Sequence, residues 1–184
     1  FFDNKGSILR FNEDSNLVWK INNYQKFEKK QKPVLFFASN KKKLIVADNI
    51  SKYYALDIET GKVLWSKNNT APFNSQIKIY KDKFYVIDFN NTLRAYSVID
   101  GKEIWNNKTQ DSLIISKKKL SMVIIKEKIY FNNSLGDISS VDINSGELIW
   151  QTPTQKNLLY DSGFFLKTSD IVADMEAVPP EAAS

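Results

Sequence analysis

The sequence predicts an all-β fold, a β-propeller of four-stranded antiparallel blades with about four blades in this chain. Four tryptophans recur at spacings of 46, 40 and 45 residues, a period typical of propeller blades. Apolar runs of four to six residues alternate with turn-forming residues, which favours short strands. No segment of useful length repeats its apolar residues with helical periodicity, so strands rather than helices are expected to build the core.

The third repeat shows the order of elements most clearly. Residues 75–81 alternate between apolar and polar, residues 84–89 form an apolar run, and residues 93–98 alternate again before "KEIWNN" closes the unit. Tight turns separate these runs, so we predict four consecutive strands. The second and fourth repeats give the same order, in "PVLFFAS", "KLIVAD", "KYYALDI" and "KVLWSK", and in "LSMVIIK", "KIYFNN", "DISSVDI" and "ELIWQT".

The turn before the fourth strand is the best-preserved part of the repeat. It reads "ALDIETGKVLW" at 55–65, "AYSVIDGKEIW" at 95–105 and "SVDINSGELIW" at 140–150. Asp and Thr side chains can accept and donate hydrogen bonds to the local backbone, and Gly accepts a positive φ. We therefore interpret Asp57, Asp100 and Asp142 as turn formers rather than catalytic acids.

Three of the tryptophans follow a turn glycine by four residues, Trp19 follows Ser15 by the same distance, and all four lie on an outer strand. A large, flat ring at this place in every unit is best used across the junction with the next unit, where its N–H can find an acceptor. The predicted structural anchors are Trp19, Trp65, Trp105, Trp150, Gly61, Gly101 and Gly146.

The domain prediction is one propeller over residues 1–174, with units that end near residues 20, 66, 106 and 151. The first unit is the poorest copy, with Ser15 at the glycine position and Phe11 at the aspartate position. "GFFLKTSDIVAD" at 163–174 resembles a first and second strand, so we expect it to complete the first blade. Residues 175–184 are rich in Pro, Ala and Glu and are interpreted as a tail.

Composition excludes several classes of site. The chain has no Cys and no His, which rules out disulfides, thiolate metal sites and His-dependent catalysis. No apolar run is long enough for a membrane helix, and the first residues do not read as a signal peptide, which suggests a processed start. The net charge is +5. We attribute it to lysines on solvated turns, because Lys far outnumbers Arg, and we expect no nucleic-acid partner.

Three other acids could form either a calcium site or hydrogen bonds within turns. Asp48, Asp88 and Asp174 end second strands at equivalent places and could converge as oxygen ligands. We favour hydrogen bonding within turns, so the predicted sets of catalytic, cofactor-binding and metal-binding residues are empty. The lysine clusters at 41–43 and 117–119 could meet an acidic partner, although a solvated face is the interpretation that we favour.

The three turn-to-tryptophan stretches resemble the PQQ-type (quinoprotein-like) β-propeller repeat, whose signature is A-x-D-x-x-T-G-x-x-x-W. The family includes quinoprotein dehydrogenases, BamB-type outer-membrane assembly lipoproteins and extracellular sensor domains, and the chain looks most like the BamB type. Members usually have seven or eight blades. The resemblance therefore leaves open a fragment of a longer ring, a half-ring that pairs as a homodimer into eight blades, or a small ring.

The resemblance implies a non-enzymatic scaffold for protein–protein interaction in outer-membrane protein assembly, in the bacterial periplasm or at the outer membrane. Two alternatives remain. A fragment of a quinoprotein dehydrogenase would use PQQ and calcium, and a ligand-sensing ectodomain would belong to a larger receptor. The tryptophans all occupy the structural position of the repeat, which favours the scaffold over the dehydrogenase.

Overall fold

The computed structural model describes residues 1–109, 118–152 and 170–172. It contains fourteen strands and one short helix, α1, at Lys26–Lys30. The strands are β1 Ser7–Phe11, β2 Leu17–Asn22, β3 Leu35–Ser39, β4 Lys43–Asp48, β5 Lys52–Asp57, β6 Val63–Asn68, β7 Lys78–Tyr80, β8 Lys83–Ile87, β9 Thr92–Ser97, β10 Glu103–Lys108, β11 Met122–Ile125, β12 Lys128–Asn132, β13 Ile138–Asp142 and β14 Leu148–Thr152.

The strands form one two-stranded and three four-stranded antiparallel sheets, each with its strands in chain order. We name them blade 1 (β1–β2), blade 2 (β3–β6), blade 3 (β7–β10) and blade 4 (β11–β14). The prediction of an all-β fold with four-stranded antiparallel blades is confirmed. The first strands β3, β7 and β11 contact one another between blades, which places them on the inner side, and the fourth strands carry the tryptophans on the outer side.

One irregularity recurs in the outer hairpin of every blade. The pairing of the third and fourth strands shifts by one residue next to the tryptophan, at Val18, Leu64, Ile104 and Ile149. A bulge of this kind bends the strand and re-aims the side chains beside it. The repeated bulge therefore sets the direction of each tryptophan, a feature that the spacing of residues alone does not reveal.

Among the described residues the hydrophobic core forms three clusters, one in each junction between neighbouring blades. Blades 1 and 2 share Ile8, Val46 and Tyr54, and the next two junctions are built in the same way. Strands buried on both faces explain why β4 and β8 are almost continuously apolar. Because each blade covers its neighbour, the core runs around the structure rather than through one centre.

Blade 1 differs from the other blades, as its sequence indicates. Phe2 bridges to Ile8 beside β1, and Ser15 adopts a φ of 63°, the conformation that glycine has in the other blades. An apolar groove of about 810 Å³ borders β1 and is lined by Phe37 and Leu44 of blade 2, among others. Most of residues 163–174 lies outside the described residues, so their pairing with blade 1 stays a prediction.

Helix α1 was not predicted, because five residues are too short for a periodic pattern. Its Gln25 and Glu28 form a capping box, and Glu28 also pairs with Lys52 at 2.9 Å. In the described part of the chain, no helix is both long and apolar enough to cross a membrane.

Candidate functional site

The hairpins between third and fourth strands are closed by their own side chains. Asp57 Oδ1 accepts hydrogen bonds from the Thr60 N–H at 2.8 Å and the Thr60 hydroxyl at 2.8 Å. In blade 4, Asp142 Oδ1 accepts from the Ser145 N–H at 2.9 Å and the Ser145 hydroxyl at 3.2 Å. These hydrogen bonds favour the charged form and hold the pKa of both carboxyls below the usual range. Both acids are therefore used as turn formers.

Blade 3 reaches the same hairpin shape with different chemistry. Ser97 stands at the aspartate position, and its hydroxyl accepts from the Ile99 N–H at 3.1 Å. Asp100 lies one residue before the glycine and accepts from the Lys102 N–H at 3.2 Å, which lowers the pKa of its carboxyl. The Gly101 N–H donates to the Ser97 carbonyl at 2.9 Å, as its counterparts do in blades 2 and 4.

Three tryptophans lie across junctions between blades in one repeated geometry. The indole N–H groups of Trp19, Trp65 and Trp105 donate to main-chain carbonyls of the next blade at 3.1, 3.3 and 3.3 Å. The acceptor is in each case the residue three positions before the turn glycine, and the ring lies against that glycine. These acceptors are Ile58, Val98 and Ile143. The geometry supports the anchoring role, which we keep as a prediction tested by truncation.

Trp150 contacts its own blade but, among the described residues, makes no contact across a junction like those of the other three tryptophans. Its ring lies 6.0 Å from that of Tyr130 in its own blade, as Trp105 lies 5.7 Å from Tyr85. No further blade packs against it within the described residues, and 41% of its surface is exposed. Trp150 therefore serves as an internal comparison for the three tryptophans that have a neighbour.

The turn glycines leave no room for a side chain. A Cβ atom at Gly146 would lie 2.4 Å from the Trp105 ring, and φ at this residue is +75°. Ala at such a φ is strained by about 1 kcal/mol or more, and overpacking adds a further 1–3 kcal/mol. We expect Gly146→Ala to lower the free energy of unfolding by about 2–3 kcal/mol, measured by urea denaturation. In a protein that already carries Trp105→Ala, Gly146→Ala should cost only the strain of its positive φ. An equal loss of stability in both backgrounds would show that the added Cβ does not collide with the Trp105 ring.

The two described candidates for a calcium site lie in the turns between second and third strands. Asp48 is fully buried, and its Oδ1 accepts from the Ile50 and Lys52 N–H groups while its Oδ2 accepts from the Tyr24 hydroxyl at 2.6 Å. Asp88 accepts from the Thr92 N–H at 3.2 Å. Among the described residues no three acidic side chains lie close enough to hold a metal ion. Asp174 lies outside the described residues.

In blade 4 an amide, Asn133, takes the place of the first aspartate of the same turn. Asn133 Oδ1 accepts from the Leu135 and Asp137 N–H groups, each at 3.0 Å. In blade 1, Asp3 Oδ1 accepts from the Lys5 and Ser7 N–H groups at 2.9 and 2.8 Å. Because Asn serves as well as Asp, the structural demand at this position is for an acceptor oxygen rather than for a negative charge.

Burial gives Asp48 an unusual titration. Desolvation raises its pKa above the ordinary value, against the opposing effect of the Tyr24 hydroxyl and two backbone N–H groups. The folded state therefore binds its proton more tightly than the unfolded state does, and the contribution of Asp48 to stability falls as pH rises through the interval between the two pKa values.

We expect Asp48→Asn to be more stable at about pH 7 than at about pH 4 when each is compared with the unmodified protein at the same pH, because the variant no longer has to bury a charge. Urea denaturation at both pH values measures the difference. Asp57→Asn is the matched control of opposite sign, since the pKa of Asp57 is lowered. Relative to the unmodified protein this variant should lose stability as pH rises towards about pH 4, and it should change little between about pH 4 and pH 7. If the stability of both variants changed with pH in the same way, the opposite pKa shifts of Asp48 and Asp57 would be contradicted.

A groove between blades 2 and 3 brings together residues that are distant in the sequence. It lies at the end of the structure where the first strand turns into the second, and its volume is about 410 Å³. We call it the lysine groove. Its lining residues are Asn40, Lys41, Lys42, Lys43, Lys81, Asp82, Val98 and Ile99.

Only the part of this groove that blade 2 contributes can be recognised from the sequence. The lysines at 41–43 form a visible cluster in the sequence, whereas Lys81 and Ile99 come from blade 3 and belong to no local pattern. Lys118 and Lys119, the described part of the second cluster, do not line it. Neighbouring blades are offset by a whole repeat, so only the fold reveals which loops share a surface.

Known proteins of two kinds resemble this chain. A family profile described as "Outer membrane protein assembly factor BamB" matches residues 4–162. Among curated proteins, BamB of Kangiella koreensis is 24% identical over 120 residues, which is 59% of this chain and 28% of that protein. A quinoprotein ethanol dehydrogenase of Pseudomonas putida is 26% identical over 131 residues, 60% of this chain and 21% of that enzyme.

Solved structures give the same two kinds of neighbour. BamB from Moraxella catarrhalis superposes with a TM-score of 0.65 at 18% identity, over 80% of this chain and 44% of that one. The quinohemoprotein alcohol dehydrogenase of Comamonas testosteroni gives 0.53 at 22% identity, over 64% and 20%. These likenesses show the fold.

The chain spans less than half the length of each of these four relatives. The family profile, in contrast, covers most of this chain. The chain therefore belongs to the PQQ-like β-propeller repeat family described as outer membrane protein assembly factor BamB.

Proposed function

We propose that this chain acts as a non-enzymatic scaffold for protein–protein interaction, a BamB-like factor for outer-membrane protein assembly in the bacterial periplasm or at the outer membrane. One observation carries the proposal. Most of the side chains that a dehydrogenase could use are already engaged: three of the four repeat tryptophans in junctions, and the buried acids Asp48 and Asp88 in turns. What remains accessible is a set of loops, which suits contact with other proteins.

The acids illustrate this in detail. Both oxygens of Asp48 accept hydrogen bonds, and so do both oxygens of Asp88. A calcium ion would have to displace these donors and leave buried N–H and O–H groups without partners, which costs about 1–3 kcal/mol for each. The chain also has no His and no Cys for acid–base or nucleophilic chemistry.

Complementation tests the proposed function directly. The gene for this chain, as it stands in its genome, is expressed in a bacterium that lacks its own BamB, and the amount of outer-membrane protein is measured. Restoration of outer-membrane protein supports the proposal, provided that a Trp65→Ala/Trp105→Ala variant gives none. Expression of folded protein without any restoration would overturn it.

A dehydrogenase is the second candidate, favoured by the 26% identity to the quinoprotein ethanol dehydrogenase. Titration with PQQ and Ca²⁺, followed by the fluorescence of the quinone and by dye reduction with ethanol, distinguishes it. Binding together with dye reduction would replace the scaffold by an enzyme. The third candidate, a sensor ectodomain, predicts a membrane segment or a signalling domain within the same gene product.

The assembled state is a separate proposal. We propose that two copies pair as a homodimer that completes an eight-bladed ring, because Trp150 presents the same side chain that contacts the next blade at the three other junctions. The mass in solution tests this, since one chain has a mass of 21.2 kDa and the dimer has twice that value. A monomer with Trp150 still accessible to solvent quenchers would exclude pairing.

A further inference from the structure

The lysine groove combines positive charge with an exposed apolar side chain. Four of its lining residues are lysines and one is an aspartate. Ile99 stands beside them with 68% of its surface exposed. Isolated lysines on turns are common and carry little meaning, but here two blades place them around one concave surface.

The backbone of the groove is fixed by hydrogen bonds that do not neutralise its charge. Lys43 Nζ donates to the carbonyls of Val98 and Ile99 at 3.0 and 3.3 Å, which joins the two blades without a carboxylate. Asn40 Oδ1 accepts from the N–H groups of Lys42 and Lys43 at 2.9 and 2.8 Å. The loop is therefore shaped before any partner arrives, which lowers the entropic cost of binding.

The remaining lysines are available to a partner. Among the described residues no carboxylate lies within ion-pair distance of Lys41 or Lys42. Lys81 pairs with Glu127 at 3.0 Å, but the side chains are 63% and 52% exposed, so this pair is worth less than about 1 kcal/mol and exchanges readily. Three ammonium groups can thus face a ligand.

We infer that the lysine groove docks an acidic segment of a partner polypeptide that also carries an apolar side chain for Ile99. This rests on the proposed scaffold function and specifies the chemistry of one of its contacts. Carboxylates match the lysines, and an apolar residue covers Ile99, which would otherwise stay in water. Nucleic acid fits less well, because the lining offers no aromatic ring for base stacking.

A fluorescent peptide provides the probe, with the sequence Glu-Glu-Leu-Glu-Glu-Leu-Glu-Glu, and anisotropy at about 50 mM and 300 mM salt gives the affinity. We expect binding that weakens with salt, and a loss of at least about tenfold in the Lys41→Glu/Lys42→Glu variant, because two attractions become repulsions. The control is Lys26→Glu/Lys30→Glu on α1, which changes the net charge equally and should change affinity less than about threefold.

Two further arms separate the groove from general charge attraction. Ile99→Ser should weaken binding of this peptide but not of a version with Gly in place of Leu. Equal losses in both lysine variants, no binding of the acidic peptide, or tighter binding of an oligo-dT strand that the groove variant abolishes would each overturn the inference. If complementation succeeds and Lys41→Glu/Lys42→Glu complements equally well, the docking role inferred for the lysine groove is wrong, while the proposed scaffold function is still supported.

Discussion

Trp105→Ala is expected to lower the free energy of unfolding by about 3–4 kcal/mol. The substitution removes a ring that lies against Gly146 and whose N–H donates to the Ile143 carbonyl at 3.3 Å. The neighbouring blade is rigid at this place, because its turn is closed by Asp142, so the space left by the ring should collapse only in part. Urea denaturation followed by circular dichroism measures the loss.

Trp150→Ala is the matched control within the same protein. Trp150 keeps the contact with its own blade and is 41% exposed, so its truncation should cost about 1 kcal/mol. Trp105→Phe separates the ring from the hydrogen bond and should cost about 1–2 kcal/mol. Should Trp105→Ala prove no more harmful than Trp150→Ala, the tryptophans would not act as anchors between blades.

The hairpin and the tryptophan of each repeat could be predicted because the residues that determine them lie within about eleven positions of one another. An aspartate, a hydroxyl three residues later and then a glycine specify a closed hairpin, as Asp57, Thr60 and Gly61 show. The position of the tryptophan after that glycine places its ring beyond the edge of its own sheet. Strand order followed from the same reasoning, since short turns between alternating runs leave a meander as the simplest topology.

Other features depend on contacts that no local pattern contains. The bulge before each tryptophan is a consequence of pairing, not of a particular residue type. The lysine groove needs Lys43 to reach the carbonyl of Val98 across a junction, a separation of more than one repeat. Similarly, the equivalence of Asn133 with Asp48 and Asp88 becomes visible only when the backbone turns are superposed, because Asn-rich loops are frequent throughout this sequence.

The distribution of polar groups separates structural acids from accessible ones. Asp48 and Asp88 are fully buried and hydrogen-bonded, whereas the side chains that line the lysine groove are mostly solvated. A charge inside the protein is tolerated only with partners, while a charge on a loop can exchange water for a ligand at small cost. This contrast is why the buried acids are assigned to the fold and the exposed lysines to recognition.

Arg94→Met should cost about 3–5 kcal/mol, because it leaves a buried carboxylate without its cation. Arg94 Nε donates to Asp88 Oδ2 at 2.7 Å, with side chains 13% and 0% exposed, and Arg94 Nη1 also pairs with Glu103. Methionine preserves much of the apolar volume of the arginine stem, so the loss reports the charge. Urea denaturation at neutral pH measures it.

A double substitution and a surface control make this prediction specific. Asp88→Asn combined with Arg94→Met should recover at least half of the loss, because blade 4 already forms the same turn with the uncharged Asn133. Lys81→Met breaks an exposed ion pair with Glu127 and should change stability by less than about 1 kcal/mol. If the double variant is as unstable as Arg94→Met alone, the cost arises from lost packing around the arginine stem rather than from an unpaired charge in the junction.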